Sequence, residues 1–158
     1  VHLPIWERSK LKNWALFTLK NNMDDCIFCK IVKGDIPSEK IYENDLILAF
    51  LDISPINFGH TLVIPKNHYV NIYETPENVL SEMIKVVKRI AVVLKNTLGS
   101  DGLNIGMNND VAAGQVVMHA HIHVIPRVMN DGFNLWQSKK TYNGEEAKDI
   151  AIKISEGL

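Results

Sequence analysis

The chain has 158 residues, 46% of them hydrophobic and 22% charged, with a formal net charge of −1 at pH 7. This length and composition suit a soluble globular protein with a hydrophobic core of its own. The balanced charge argues against a nucleic-acid partner, because non-specific phosphate binding requires an excess of Lys and Arg. No apolar run approaches the ~20 residues that cross a bilayer, so we expect a cytoplasmic protein with no membrane partner.

Residues 1–22 differ from the rest of the chain, because aromatic and basic residues are interspersed there. Their apolar stretch, Trp14 to Phe17, is too short for the core of a signal peptide. We therefore divide the chain into an N-terminal extension, 1–22, and a compact domain, 23–158. The extension is either an amphipathic arm or sequence upstream of the native start.

The first predicted elements of the domain are a short helix and three strands. The helix covers residues 27–32 and is ended by Gly34, because glycine readily takes the left-handed conformation of a helix C-cap. Two apolar-rich strands, 40–43 and 46–51, form a hairpin, and a third strand covers 61–64.

A long amphipathic helix follows, with Thr75 as its N-cap, Pro76 in the first helical position and Gly99 at its end. Its predicted apolar stripe consists of Val79, Leu80, Met83, Ile84, Val87, Ile90, Ala91 and Leu94.

Two further strands, 103–107 and 118–125, and a final helix over 144–155 complete the pattern. The strands come in runs with one long helix inserted, rather than alternating strictly with helices. This order predicts an α+β fold with a mainly antiparallel five-stranded sheet.

The segment from His119 to Pro126 contains three of the six histidines of the chain. Side chains in a β-strand alternate between faces, so His119, His121 and His123 share one face. The other face, which is expected to pack on the core, consists of Ala120, Ile122 and Val124. Three imidazoles in a row require polar partners. Besides an exposed face with incidental histidines, the interpretations are a metal site and a nucleophilic site in which neighbouring imidazoles orient the attacking ring.

Polar residues upstream favour a phosphate site over a bare metal cage. Asn108 precedes a loop with Gly114 and Gln115, and such a loop can turn backbone N–H groups and side-chain donors toward an anion. A fourth histidine, His60, follows Gly59 at the start of a predicted strand.

Cys26 and Cys29 are the only cysteines, which excludes a disulfide framework. Their C-x-x-C spacing suits two ligands of a tetrahedral zinc site, and His68 and His119 are candidates for the other two. Two reduced buried thiols or a redox pair are the alternatives, although the α/β pattern expected near a thiol redox motif is missing.

Three motifs resemble, in order and spacing, those of histidine triad (HIT) proteins, the Hint-like and Fhit-like nucleotide hydrolases: CIFCKIVKGDIPSEKIYEND, LAFLDISPINFGHTLVIPKNH and AGQVVMHAHIHVIPR. They lie between Cys26 and Arg127 and cover most of the chain. The resemblance implies a HIT-like α+β fold with a short N-terminal helix and one long helix. It also implies a homodimer whose sheets join edge to edge, which would cover an edge strand.

The resemblance further implies a mechanism. The middle histidine, His121, attacks the α-phosphorus of a nucleotide ester, anhydride or phosphoramidate, and water then releases a nucleoside monophosphate from a covalent nucleotidyl-histidine. A backbone carbonyl of His119 fixes the tautomer of the nucleophile. His123 binds phosphate and helps to protonate the leaving group, and His60 is the fourth histidine around the phosphate.

The resemblance also implies a nucleotide site. Asn108 lies beside the phosphate with Gly114, Gln115 and the backbone N–H of Val116, and Asp52 binds the ribose hydroxyls. A purine such as that of AMP would occupy an apolar slot, although each residue of the slot equally fits core packing: Ile27, Phe28, Ile31, Ile36, Phe50 and Ile53.

In the zinc-bearing subset of the family, the matching residues hold a structural ion, here Cys26, Cys29, His68 and His119. Val116 departs from the Hint branch, where a hydroxyl residue donates toward the leaving group. We predict a phosphoramidase-like nucleotide phosphohydrolase. Because this hydroxyl is missing, the predicted substrates are not confined to nucleoside phosphoramidates and include dinucleoside polyphosphates. The alternatives are a nucleotide-binding regulatory or scaffold protein with weak catalysis, and a nucleotidyl transferase to an acceptor other than water.

Overall fold

The structure is a computed structural model that describes residues 24–133 and 140–158. The predicted extension, 1–22, and Met23 lie outside these residues. In chain order the elements are α1 (Ile27–Lys33), β1 (Lys40–Glu43), β2 (Ile47–Leu51), β3 (Thr61–Pro65), α2 (Glu77–Leu98), β4 (Gly102–Gly106), a 3-10 turn (Val111–Ala113), β5 (Ile122–Arg127) and α3 (Glu146–Ser155).

The five strands form one antiparallel sheet in the order β1-β2-β3-β5-β4. Strands β1 and β4 are its edges. The architecture confirms the predicted α+β fold with a five-stranded sheet, a short helix near the N-terminal end of the described residues and one long helix.

The two faces of the sheet are covered by different helices. The face that packs against α2 carries Ile47, Ala49, Val63, Ile122 and Val124. The face that packs against α1 carries Leu48, Phe50, Leu62 and Ile64. Each of these side chains is at most 5% exposed, and burying one contributes about 1.5–3 kcal/mol to folding. Because His123 pairs with Leu62 across β3 and β5, it lies on the α1 face.

The start of α2 corrects the predicted cap. Pro76, not Thr75, is the N-cap, and the helix begins at Glu77. The Thr75 hydroxyl donates instead to the Asn71 carbonyl at 2.7 Å, so it closes the turn before the helix. Gly99 ends the helix in the left-handed conformation, as predicted, with φ 64°.

The buried face of α2 also differs in detail from the predicted stripe. Ile84 is 56% exposed, whereas Val86, which the stripe omitted, is 1% exposed. The helix therefore turns its 83–86–90 side to the sheet.

The strand predicted to carry the triad, which we define as His119, His121 and His123, is shorter than predicted. It begins at Ile122 rather than at residue 118. The Ala120 N–H donates to the Tyr69 carbonyl at 2.6 Å, and the His119 N–H donates to the Val117 carbonyl at 2.8 Å. The first bond attaches the segment to the chain that leads into α2, and the second is local to the segment, before the ladder with β3 starts.

The loop between β2 and β3, residues 52–60, approaches the end of α2 closely at Gly59. Gly59 has a φ of +88°, and a Cβ atom there would lie 2.6 Å from Leu98 Cδ1 and 3.3 Å from the Pro126 ring. Only glycine takes this conformation at this distance without strain. The close approach helps to hold the end of the loop, where His60 lies.

The final helix, α3, confirms the predicted helix near the C-terminal end, and none of its residues is buried. Within residues 24–133 and 140–158, no helix has both the length and the apolar character that a membrane span requires.

Candidate active site and metal centre

His121 and His123 lie side by side on the α1 face of the sheet, with ring centroids 4.9 Å apart. Phe28 of α1 packs edge-on against the His121 ring at 5.3 Å and against the His119 ring at 5.8 Å. Ile122 and Val124 face α2. All three imidazoles therefore lie beneath α1, as the sequence predicted, although only His123 belongs to β5 and the other two precede the strand.

The His121 ring is held in one tautomer by a backbone carbonyl. Its Nδ1–H donates to the His119 carbonyl at 2.7 Å, in a buried position. Because a carbonyl oxygen only accepts, the proton lies on Nδ1 and the lone pair of the neutral ring lies on Nε2. Burial lowers the pKa of His121, an effect that the His119 carbonyl partly opposes.

His60 and His123 are joined directly, with Nε2 of His60 2.9 Å from Nδ1 of His123. The Ile56 N–H donates to His60 Nδ1 at 3.3 Å, so the neutral His60 ring carries its proton on Nε2 and donates it to His123. Asp52 Oδ2 lies 3.6 Å from the same Nδ1. Burial and the neighbouring His121 and His60 lower the pKa of His123 to about 4.

The loop from Asn108 to Val116 lies next to the triad and is anchored by residues that the sequence analysis did not select. Asp110 takes a left-handed conformation with φ 67°, and its Oδ1 accepts from Asn71 Nδ2 at 3.0 Å. Asn108 Nδ2 lies 3.4 Å from the Gly114 carbonyl. Asn and Asp tolerate positive φ better than most residues, which is the one local signal for this anchor.

Gln115 braces this loop from inside. Its side-chain Nε2 donates to the carbonyls of Val70, at 2.6 Å, and Val117, at 3.0 Å, and its Oε1 accepts from the Asp110 N–H at 2.8 Å. The sequence suggested that this side chain donates to an anion. In the structure its donors and its acceptor are instead bonded within the protein. Val116, the next residue, is 88% exposed.

Four of the six residues predicted for the base slot come together beside the triad. Phe28, Ile31 and Phe50 are buried in one cluster, and Ile36 packs against it. Ile27 is 45% exposed and Ile53 is 98% exposed, so the structure does not bring Ile53 into this cluster.

Cys26, Cys29, His68 and His119 converge at the base of the triad segment, with their ligand atoms all within 4.8 Å of one another. His119 Nδ1 lies 3.5 Å from Cys26 Sγ and 3.6 Å from Cys29 Sγ, and His68 Nδ1 lies 3.3 Å from Cys29 Sγ. Zn–S bonds of about 2.3 Å and Zn–N bonds of about 2.0–2.1 Å imply S···N separations of about 3.6 Å in a tetrahedral site. The four residues therefore fit a zinc ion.

The chemistry of the four ligands agrees with this geometry. His119 Nε2 donates to the Pro65 carbonyl at 2.8 Å, which turns the Nδ1 lone pair toward the thiols, as outer-shell partners do in zinc sites. Burial and the adjacent Cys26 raise the pKa of the Cys29 thiol to about 12. A thiolate in this position requires a compensating cation.

The structure divides the histidines between the two interpretations of the sequence. His119 turns its ring to the cysteines, whereas His121 and His123 belong to a separate group. Asp52, His60 and His123 also lie within metal-binding distance of one another, but the direct hydrogen bond between the two rings already satisfies their facing nitrogens. Asp52, His60 and His123 therefore form a polar cluster whose two rings are hydrogen-bonded to each other.

The HIT domain family matches residues 33–130. This chain belongs to the HIT domain family. Two solved structures share the fold of this HIT protein. A HIT family protein from Bacillus subtilis has a TM-score of 0.79 and 43% identity, covering 85% of this chain and 97% of its own. A zinc-bound histidine triad family protein from Mycobacterium smegmatis has a TM-score of 0.68 and 37% identity, covering 87% and 100%.

Relatives with named activities indicate nucleotide hydrolysis at the level of the family. The adenosine 5'-monophosphoramidase of Schizosaccharomyces pombe is 40% identical over 132 residues, which are 82% of this HIT chain and 96% of the relative. The adenylylsulfatase HINT3 of Arabidopsis thaliana is 46% identical over 122 residues, which are 77% of this chain and 59% of the relative.

Proposed function

We propose that this HIT protein hydrolyses conjugates of AMP at the α-phosphate through a covalent adenylyl intermediate on His121. The observation that carries the proposal is the 2.7 Å hydrogen bond from His121 Nδ1–H to the His119 carbonyl. It directs the Nε2 lone pair of the ring away from the backbone, and an attacking imidazole nitrogen needs this fixed orientation.

In the first step, His121 Nε2 forms a bond to the α-phosphorus, and the bond from phosphorus to the leaving group breaks with its electron pair. The leaving group then needs a proton. In the second step, the oxygen of a water molecule attacks the same phosphorus, and the P–N bond to His121 breaks. The products are AMP and the protonated leaving group.

His123 is the proposed source of the proton for the leaving group. Its ring is neutral in the free protein, but the negative charge of a bound phosphate raises the pKa of a neighbouring imidazole. In the cationic state Nδ1–H of His123 donates to His60 Nε2. The His60 proton then moves to Nδ1, and the hydrogen bond that this nitrogen accepts from the Ile56 N–H is given up. The nearest carboxylate oxygen to that proton is Asp52 Oδ2, at 3.6 Å. The water that attacks in the second step returns its proton to His123.

The adenosine part of the substrate is assigned to the surroundings of these rings. We place the ribose hydroxyls on Asp52 and the phosphate oxygens near Asn108 and the backbone N–H of Val116, an exposed residue. The purine lies against the apolar cluster around Phe28. The phosphoramidase and adenylylsulfatase names of two relatives support AMP as the transferred group.

The test is release of AMP from three classes of conjugate: an adenosine phosphoramidate, adenosine 5'-phosphosulfate and a diadenosine polyphosphate. We expect catalytic release from at least one of them, followed by chromatography. Tight binding of AMP without cleavage of any conjugate would contradict the proposal and favour a nucleotide-binding scaffold. Release only after addition of phosphate or a sugar phosphate would instead indicate a transferase.

We also propose that Cys26, Cys29, His68 and His119 hold a structural zinc ion. Zinc would supply the positive charge that two adjacent cysteines, one of them buried, need, and it would fix the residue whose carbonyl orients the nucleophile. A zinc-bound relative with 37% identity supports the assignment.

A homodimer is the third part of the proposal. Strand β4 is an edge of the sheet, and its Ile105 is 51% exposed. Three apolar side chains of α2 are also exposed: Val92, Val93 and Leu98. An apolar edge strand of this kind is normally covered by pairing.

We expect sedimentation to give twice the 17.9 kDa chain mass for the wild type and the mass of a monomer for Val93→Glu. A monomeric wild type at micromolar concentration would contradict the proposed dimer.

A further inference from the structure

The loop 52–60 is held from outside the active site by Asn57. The side-chain amide of Asn57 donates to the Pro126 carbonyl at 3.0 Å and to Asp131 Oδ2 at 2.8 Å. The backbone carbonyl of Asn57 accepts the His60 N–H at 3.0 Å. Asn57 therefore connects the end of β5 to the residue that orients His123.

Asp131 is the centre of this connection. Its Oδ1 accepts from the Arg127 guanidinium at 2.5 Å and from the Phe133 N–H at 3.0 Å, and its Oδ2 also accepts from the Val128 N–H at 3.2 Å. The side chains of Arg127 and Asp131 are 14% and 8% exposed. The guanidinium lies 4.3 Å over the Phe133 ring. Such a charge-assisted pair with its other partners in place is a rigid anchor.

The ionised form of Asp131 is the one that these donors favour. The Arg127 guanidinium, with smaller contributions from the Phe133 and Val128 N–H groups and Asn57, holds the pKa of this carboxyl well below its usual range. All four partners donate, so a carboxylate satisfies them and an amide in its place does not.

The loop end that this anchor holds sets the position of His60. The Ile56 N–H contacts Nδ1 of His60 at 3.3 Å, and Nε2 of the same ring contacts His123 Nδ1 at 2.9 Å. If the loop is displaced, the His60 ring moves with it. Among the described residues, this ring provides the only hydrogen bond to Nδ1 of His123.

We infer that Asn57 and Asp131 are positioning residues for protonation of the leaving group: they hold the loop 52–60 so that His60 orients His123. This inference rests on the proposed function. Both residues act through His60 and neither is assigned a contact with the substrate, so their effect depends on how much the leaving group needs a proton.

The test compares Asn57→Ala and Asp131→Asn on two AMP conjugates. One is a phosphoramidate with a strongly basic amine as leaving group, and the other is the p-nitrophenyl ester of AMP, whose leaving group needs no proton. We expect kcat to fall by about 10- to 100-fold on the phosphoramidate and by less than about 3-fold on the ester, with KM nearly unchanged. The double variant should have a kcat on the phosphoramidate only slightly below that of the less active single variant, because both changes release the same loop.

Asn44→Ala is the matched control. The side-chain Nδ2 of Asn44 also joins two partners, Tyr42 at 3.1 Å and Glu82 at 3.1 Å, but Asn44 lies in the β1–β2 turn. Its loss should lower the melting temperature and leave the ratio of the two kcat values unchanged. Equal loss of kcat on both conjugates in Asn57→Ala and Asp131→Asn, as in this control, would overturn the inference. Asp131→Asn, which keeps the side-chain shape, carries the test if Asn57→Ala does not fold.

A second measurement does not depend on turnover. The hydrogen-bonded ring proton between His60 and His123 should give a protected NMR signal in the wild type and in Asn44→Ala. It should exchange rapidly in Asn57→Ala and Asp131→Asn. If the wild type cleaves no conjugate, the proposed function fails, but this signal still tests whether Asn57 and Asp131 position His60. An unchanged signal in both variants would refute that positioning role.

Discussion

Replacing His121 with alanine is expected to lower the rate of AMP release by at least about 10³-fold, because losing a covalent nucleophile leaves only binding and electrostatic effects. The affinity for AMP should change by less than about 3-fold, since the phosphate and ribose contacts are assigned to other residues. The variant should stay folded, because the Nδ1 bond of His121 is made to a backbone carbonyl that remains in place.

Acid quenching during turnover gives the control for this result. In the wild type, mass spectrometry of the quenched protein should show one adenylyl group, located on the peptide that contains His121. His121→Ala should show none. Wild-type turnover in His121→Ala would rule out the assigned nucleophile, and an adduct on His123 instead would reassign it.

Cys29→Ala is expected to abolish zinc binding and to lower the melting temperature by about 10 °C. A structural zinc ion contributes to folding because it binds only the folded ligand set. Loss of about 3 kcal/mol corresponds to a shift of this size in a protein of this length. Metal analysis and calorimetry on the same sample measure both effects.

Chelation of the wild type provides the comparison. A strong chelator should bring the wild type close to the melting temperature of Cys29→Ala and should have no effect on Cys29→Ala itself. His121→Ala should keep its zinc and its response to the chelator. Purified wild type that contains no zinc and melts unchanged with chelator would refute the metal centre.

The features that the sequence predicted correctly are those written in local, periodic patterns. Side chains alternate from His121, which directly precedes β5, along the strand: His121 and His123 lie on the α1 face, and Ile122 and Val124 face α2. The C-x-x-C pair of α1 and its left-handed Gly34 are equally local signals. The convergence of His68 and His119 on that pair came from the family resemblance, since spacing alone offered them only as candidates.

The features that the sequence did not predict depend on partners far along the chain. Asn57 and Asp131 are 74 residues apart, and no periodicity relates them. Gln115 was selected as an anion donor because a glycine loop precedes it, but the nearby Val70 carbonyl takes its side-chain amide. Thr75 suits an N-cap locally, yet its hydroxyl reaches back to Asn71. For Asn57 and Gln115 the partner comes from a distant part of the chain, whereas Thr75 forms a local hydrogen bond in place of the predicted cap.

The contact between Cys26 and His119 closes a segment of the chain in which the two residues are 93 positions apart. Contacts between residues so far apart in the sequence form late in folding, because the entropic cost of closing the loop must be met before the contact stabilises the chain. During synthesis, His119, the last of the four proposed zinc ligands, leaves the ribosome only two residues before His121, the proposed nucleophile. A nascent chain that ends before this point therefore holds neither the complete ligand set nor the reactive imidazole, so both centres are assembled together when the domain closes.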